Sequence, residues 1–151
     1  MESKLDFYEV KIYDGETSPQ QGILNGDWRL IENFTARELA CPESMTVELS
    51  KDFLTNLDLL RFSWGEPLTV TSCCRSDYHN NQIGGHPRSL HLMRNPFWLS
   101  AQGTIALDVT ETSDDFRELA WILGWSIGYG ETFTHLDRRV DIGLDQTKFY
   151  Y

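Results

Sequence analysis

The clearest periodic pattern in the chain lies in residues 46–64, where apolar side chains recur every three or four residues. These side chains are Leu49, Phe53, Leu57, Leu60 and Trp64. Such spacing is typical of an amphipathic helix that buries one face. Gly65 and Pro67 follow the pattern and predict the end of the helix. The segment 46–64 is therefore predicted to be a helix that packs on the core.

Capping signals predict two further helices. Thr35 and Glu38 have the spacing of a capping box, which predicts a short helix within 33–44. Thr112 or Ser113 can cap the second helix, in which several apolar residues share one face. These residues are Phe116, Leu119, Ala120 and Leu123.

Short segments rich in β-branched or aromatic residues predict the strands. They lie at 67–72, 104–110, 126–130 and 133–139, and residues 1–30 are expected to supply strand and loop. This order of elements is typical of an α+β fold with a mainly antiparallel sheet flanked by helices. The length of 151 residues suits one domain, so residues 1–151 are predicted to form a single domain.

The chain is acidic, with 23 Asp and Glu against 13 Lys and Arg and a formal net charge of −10. Nucleic acid and anionic membranes require a basic surface, so neither is expected as a partner. Residues 1–8 carry no long apolar run and predict neither a secretory signal nor a transit peptide. Two of the three cysteines are adjacent, which does not suit a disulfide framework. The protein is therefore expected to be cytoplasmic and reduced when made.

The histidines are the main chemical anomaly of the sequence. Three of the four lie in the polar, glycine-rich segment 72–91, and the fourth, His135, lies in a predicted strand. A catalytic zinc site needs three converging nitrogen, oxygen or sulfur ligands and an open position for water. His91, Asp108 and His135 are the candidates. The two-residue period of a strand places His135 and Asp137 on the same face, and it places Asp108 on the polar face of its own strand.

The motifs around these residues follow a recognisable order. The segment SCCRSDYHNNQIGGHPRSLH (72–91) contains S-x-x-R, an asparagine, Gly-Gly and then S-x-H, and GTIALD (103–108) and FTHLDRR (133–139) follow it. In this order the segments resemble the motifs of the zinc D-alanyl-D-alanine carboxypeptidases and the related phage L-alanyl-D-glutamate endopeptidases. The resemblance covers residues 33–139 and implies the hedgehog-like α+β fold of that family.

The resemblance also implies roles for individual residues. His91, Asp108 and His135 would be the ligands of Zn²⁺. Arg75 would bind a carboxylate of a peptide substrate, with Ser89 among the substrate-binding residues. A planar guanidinium suits this task because it can form two parallel hydrogen bonds with a carboxylate. A surface ion pair is the alternative role for Arg75.

The general base is assigned to Glu131, four residues before His135. Relatives carry an acid shortly before the last histidine ligand, but at a variable spacing, and residue 132 is threonine here. An ordinary turn residue is the alternative for Glu131. Asp137 is expected to orient a ligand histidine rather than to bind the metal.

The sequence departs from the family pattern between His91 and Asp108, where about ten extra residues, 93–102, are inserted. The insertion carries Phe97, Trp98 and Leu99, which are costly to expose to water. We expect it to form a lid or a wall of the substrate cleft, and a contact with another copy or a protein partner is the alternative.

The sequence thus predicts a zinc-dependent peptidase that hydrolyses peptide bonds in peptidoglycan peptides, as a carboxypeptidase or an endopeptidase. Its setting would be that of a phage endolysin that acts on the cell wall. The alternative is a phage structural or virion-assembly protein that keeps the fold without wall hydrolysis. Because ligand histidines must be neutral, metal is expected to be lost below their ordinary pKa of about 6.5.

Overall fold

The computed structural model describes residues 9–13, 20–22, 33–94 and 103–151. Within these residues, the strands are β1 (Glu9–Tyr13), β2 (Gln20–Gly22), β3 (Thr46–Ser50), β4 (Val70–Ser72), β5 (Ala106–Val109), β6 (Ser126–Tyr129), β7 (Thr134–Asp137) and β8 (Lys148–Tyr150). The α-helices are α1 (Ala36–Leu39), α2 (Lys51–Trp64), α3 (Asp77–Gln82) and α4 (Asp114–Ile122). A short 3₁₀ helix, Arg139–Ile142, follows β7. None of these helices is long and apolar enough to cross a bilayer.

The described strands form two sheets. The smaller has the order β2-β1-β3, and the larger has the order β4-β5-β7-β6-β8. Pairing in the larger sheet is antiparallel except between β6 and β8, which run parallel. The α+β class and the mainly antiparallel sheet are therefore confirmed. The central pair, β5 and β7, is buried along its whole length.

The helix predicted over 46–64 begins later than the apolar period indicates. Thr46–Ser50 is instead strand β3, which pairs in parallel with β1. The side chain of Ser50 accepts a hydrogen bond from the backbone N–H of Phe53 and caps the helix, which starts at Lys51. Gly65 ends α2 in the left-handed conformation, as the sequence predicts. The predicted start was wrong because Leu49 is four residues before Phe53 and so fits the helical spacing, although it is buried as a residue of strand β3.

The other predicted helix starts are confirmed. Thr35 and Glu38 form the complete capping box of α1, and Ser113 caps α4 by accepting from the backbone N–H of Phe116. The sequence did not predict α3 or β8. Phe149 of β8 lines the cavity described below, as does Ile83, which directly follows α3. Residues 95–102, which include most of the insertion and its three large apolar side chains, lie outside the described residues.

The hydrophobic core lies between the larger sheet and helices α2 and α4. The ring of Phe53 packs edge-on against Trp125 at 5.7 Å, and Trp64 packs against Phe116 at 5.2 Å. Fully buried leucines on one face of α2, at positions 54, 57 and 60, complete the contact. Because this core holds the back of the sheet, the polar residues of β5 and β7 are presented in fixed positions on the other side.

Candidate metal centre

Asp108 and His135 are direct neighbours across two antiparallel strands. They are register partners in the β5–β7 pair, and Nδ1 of His135 lies 3.0 Å from Oδ1 of Asp108. Both residues are buried. The alternation of side chains along each strand therefore brings an imidazole and a carboxylate together, as the period of the sequence predicts.

His91 reaches the same place from a loop. The loop is fixed by backbone hydrogen bonds from Arg75 N–H to the carbonyl of His91 and from Met93 N–H to the carbonyl of Arg75. The hydroxyl of Thr104 also donates to the His91 carbonyl at 2.8 Å. These bonds connect the loop to the segment that follows β4 and to the segment that precedes β5, and they set the position of the third side chain.

The ring of His91 is oriented by its own backbone contact. Nδ1 lies 2.8 Å from the carbonyl oxygen of Cys73, so it carries the proton and donates it there. Nε2 consequently carries an unprotonated lone pair, and the atom is buried with no hydrogen-bond partner among the described residues. It lies 3.3 Å from Oδ1 of Asp108, on the side of the ring that faces His135.

The ligand atoms of His91, Asp108 and His135 all lie within 4.8 Å of one another. Two imidazole nitrogens and a carboxylate oxygen match the ligand types that zinc prefers at catalytic sites. The buried, unpartnered Nε2 of His91 fits a metal in particular, because leaving such an atom unsatisfied costs about 1–3 kcal/mol. The three residues therefore fit a divalent cation that they would hold together.

The electrostatics of the group suit a cation. Burial lowers the pKa of His91 and keeps its imidazole neutral. Burial also opposes the charged forms of Asp108 and His135, but the hydrogen bonds and charges of their neighbours, which include each other, together outweigh it. The pKa of Asp108 is therefore below its ordinary value, and the pKa of His135 is raised. A carboxylate and a neutral imidazole thus stand ready as ligands, and the proton on Nδ1 of His135 occupies a position that a metal can take.

Comparison with protein families matches residues 32–142 to the family described as Peptidase M15. The chain belongs to the Peptidase M15 family. The match covers the capping box of α1, the candidate metal centre and the 3₁₀ helix after β7. Membership indicates a metallopeptidase and agrees with the resemblance in the motifs. The comparison with curated proteins gives no match.

Asp137 holds the second ring nitrogen of His135. Its Oδ2 accepts from Nε2 of His135 at 2.8 Å and from Arg139 at 2.7 Å. Asp137 is fully buried, and although burial favours its neutral form, Arg139 and His135 lower its pKa to about 2. The carboxylate of Asp137 holds a proton on Nε2 and turns Nδ1 of His135 toward Asp108. Such a contact is expected of a residue that orients a ligand histidine.

Arg75 lies at the edge of the same group. Its guanidinium donates to Ser72 Oγ at 3.1 Å, to Asn80 Oδ1 at 3.3 Å and to Oδ2 of Asp108 at 3.4 Å. These contacts use three of the five N–H donors of arginine. The arginine is held in place by α3 and β5, and donors on both terminal nitrogens remain for another acceptor.

A cavity of about 740 Å³ opens beside the metal centre in this Peptidase M15 chain. Its lining includes the three candidate ligands and also Arg75, Ser89, Asp137 and Arg139. Ser89 accepts a hydrogen bond from the backbone N–H of His91, so it braces the loop as well as facing the cavity. The structure thus brings together six of the seven residues singled out in the sequence.

Glu131 is the seventh, and the structure does not bring it into this group. It lies in the turn between β6 and β7, where it is exposed, and it does not line the cavity. Its role as general base stays a prediction.

Sequence reasoning missed an aromatic wall of the cavity. Phe133, Phe149 and Tyr151 line it, and the ring of Phe149 packs against His135 at 5.4 Å. The guanidinium of Arg139 also lies over the Phe149 ring, 5.3 Å from its centroid. A signal was available in the aromatic segment KFYY at 148–151. Aromatic residues favour strands, and the two-residue period of a strand places Phe149 and Tyr151 on one face.

Proposed function

We propose that the protein is a zinc-dependent peptidase that hydrolyses peptide bonds in the peptides of bacterial peptidoglycan. The observation that carries the proposal is the buried, unpartnered Nε2 of His91, which faces Asp108 and His135 in a Peptidase M15 chain. Buried polar side-chain atoms are rarely left without a partner, and this one faces two further metal-binding side chains. A bound zinc ion supplies that partner.

In this proposal His91, Asp108 and His135 hold the metal, and Asp137 orients His135 through Nε2. Bound zinc polarises a carbonyl group and makes water a stronger acid. The Cys73 carbonyl and the Asp137 carboxylate keep both imidazoles in the tautomers that direct a lone pair inward. The protein residues therefore prearrange the ligands before a substrate enters.

The charge of the cavity supports a peptide with a carboxylate as the substrate. Arg75, Arg88 and Arg139 line the cavity of a chain whose net charge is −10. Arg139 is paired with Asp137, whereas Arg75 keeps two donors that a carboxylate can accept. We propose that Arg75 anchors the carboxylate and that Ser89 lies beside it.

Glu131 is proposed to take the proton from the attacking water and to pass it to the leaving amine. The Glu131→Gln variant tests this assignment, because it removes the basic carboxylate with little change of shape. Retained zinc with lost hydrolysis supports Glu131 as the base. Retained zinc with full hydrolysis refutes it.

We further propose that the enzyme acts on the cell wall as a phage endolysin, and that the insertion 93–102 contributes a lid or a protein contact. Support comes from the resemblance of 72–91 to the phage endopeptidases. Expression of the protein during infection by a lysis-defective phage tests this setting, because an endolysin should restore lysis. A protein found in assembled virions, and dispensable for lysis, contradicts it.

The first experiment combines metal content with digestion of purified peptidoglycan. Wild type, His135→Ala and the control His79→Ala, which changes a histidine outside the ligand group, are measured by elemental mass spectrometry and mass spectrometry of released peptides. We expect about one zinc per chain and released peptides in wild type and the control, and neither in His135→Ala. Zinc without released peptides refutes the wall substrate, and absence of zinc in wild type refutes the metal centre. The masses of the peptides distinguish a carboxypeptidase from an endopeptidase.

A further inference from the structure

The strand β8 sorts its residues onto two faces. Lys148 lies over the ring of Trp121, and Tyr150 stacks on Tyr129 at 4.8 Å, both on the face away from the metal centre. Phe149 and the following residue, Tyr151, line the cavity. Because β8 pairs in parallel with β6, next to β7, this alternation delivers a phenol hydroxyl to the cavity that contains His135.

The position of Tyr151 is fixed by its neighbours. Its ring packs against Phe133 at 4.9 Å and Phe149 at 5.6 Å, and its backbone N–H donates to the carbonyl of Tyr129 at 3.3 Å. The residue is nevertheless 71% exposed, so its hydroxyl end remains accessible from the cavity. Tyr151 is therefore held by its ring and is open at its polar end.

The charged groups of the site act on this hydroxyl. Partial burial and the charge of Asp108 together raise the pKa of Tyr151 to about 12, and Arg75 opposes the rise. The hydroxyl thus lies within electrostatic reach of a metal ligand and of the proposed carboxylate anchor. It makes no hydrogen bond to any described residue.

The neighbouring charged groups are paired with each other or assigned to the substrate carboxylate. Arg139 and Asp137 form an ion pair, and Arg75 donates to Asp108 and to two further residues and keeps its two remaining donors for the carboxylate. Nδ1 of His86 accepts from the backbone N–H of Arg88. Of these described lining residues, Tyr151 offers an unengaged neutral O–H donor beside the metal centre.

We propose that the Tyr151 hydroxyl donates a hydrogen bond to the carbonyl oxygen of the peptide bond that is hydrolysed. When water adds to the carbonyl carbon, the electron pair of the C=O π bond moves to this oxygen. A donor fixed in advance stabilises that charge more than it stabilises the bound substrate. The inference rests on the proposed function, since it names a further catalytic residue of the same site.

Tyr151→Phe tests the proposal, with Tyr150→Phe as the matched control on the opposite face of β8. The kcat and KM of peptide release from muropeptides, the zinc content and the thermal unfolding midpoint are measured for both variants and wild type. We expect kcat of Tyr151→Phe to fall by about 10²-fold with KM within about twofold, because removal of one such donor has this effect elsewhere. Zinc content and unfolding midpoint should match wild type, and Tyr150→Phe should match it in every measurement.

Unchanged kcat in Tyr151→Phe overturns the role of Tyr151 and leaves the proposed function intact. A raised KM with unchanged kcat also overturns it, because the hydroxyl would then contribute only to ground-state binding. A wild type that releases no wall peptide refutes the proposed function instead. In that case the role of Tyr151 is tested by calorimetric binding of a phosphinate dipeptide, which mimics the hydrated peptide bond. Weaker binding by Tyr151→Phe than by Tyr150→Phe supports the role, and equal or absent binding overturns it.

Discussion

Nε2 of His135 lies 2.8 Å from Oδ2 of Asp137, two residues further along the same strand. The pair exists because side chains two apart on a strand share a face, and it leaves Nδ1 of His135 directed at Asp108. The carboxylate thus determines which nitrogen of the imidazole is available to a metal. Several properties of the site depend on this relationship.

Asp137→Asn should weaken zinc binding by about 10–100-fold, the usual effect of losing an outer partner of a ligand histidine. The amide cannot hold the proton on Nε2 as firmly and also leaves Arg139 without its charged partner. Zinc affinity is measured by competition with a chelating dye. Asp145→Asn, a change of an exposed carboxylate outside the cavity, is the control and should bind as wild type does. Equal affinity in both variants contradicts the orienting role.

Zinc affinity should decrease as the pH is lowered through the pKa of His135. Because this pKa is raised, the decrease should begin above the ordinary histidine value of about 6.5. The reason is competition: the metal must displace the proton on Nδ1, whereas His91 has a lowered pKa and stays neutral. The folding stability of the metal-free protein should depend on pH in the opposite direction. Protonated His135 stabilises the folded state at low pH, and this contribution is lost as the pH rises through its raised pKa. Zinc titrations between pH 8 and pH 5 measure the effect. An affinity independent of pH contradicts it.

Arg75→Lys should raise the KM for wall peptides by about tenfold or more, because an ammonium lacks the planar pair of donors that binds a carboxylate. The lysine keeps a positive charge near Asp108, so zinc content should stay near that of wild type. Steady-state kinetics of peptide release provide the measurement. The control is Arg61→Lys on α2, outside the cavity lining. Lost zinc with unchanged KM would assign Arg75 to the metal centre instead of the substrate.

The sequence was informative about the metal centre because its residues lie in local motifs. His91 is the histidine of the S-x-H motif that follows Gly-Gly, and Asp108 and His135 lie on strands whose two-residue period assigns their faces. The same locality explains the correct capping box at Thr35. Here each decision depends on residues within a few positions.

The sequence was less informative where a contact joins distant segments. Strand β3 was assigned to a helix because its pairing with β1 lies more than 30 residues away and leaves no local mark. KFYY at 148–151 indicates a short strand, but the place of Tyr151 in the cavity depends on the parallel pairing of β8 with β6, about 20 residues away. For Glu131 the sequence gives only its distance along the chain from His135, which does not determine the direction in which an exposed turn points.

Gly128 lies opposite His135 in the β6–β7 pair, and a methyl group there would come within 2.7 Å of the Phe149 ring and 2.9 Å of Cβ of His135. Gly128→Ala should therefore displace the ring that packs on His135, destabilise the protein by about 1–3 kcal/mol and weaken zinc binding. Denaturant unfolding and zinc titration measure the two effects. Gly143→Ala is the matched control, because its positive φ of 85° makes alanine cost about 1–2 kcal/mol with no atom nearby. If both variants lose stability but only Gly128→Ala loses zinc affinity, close packing against His135 positions the ligand. Equal zinc affinity in the two variants would show that the metal centre does not depend on this contact.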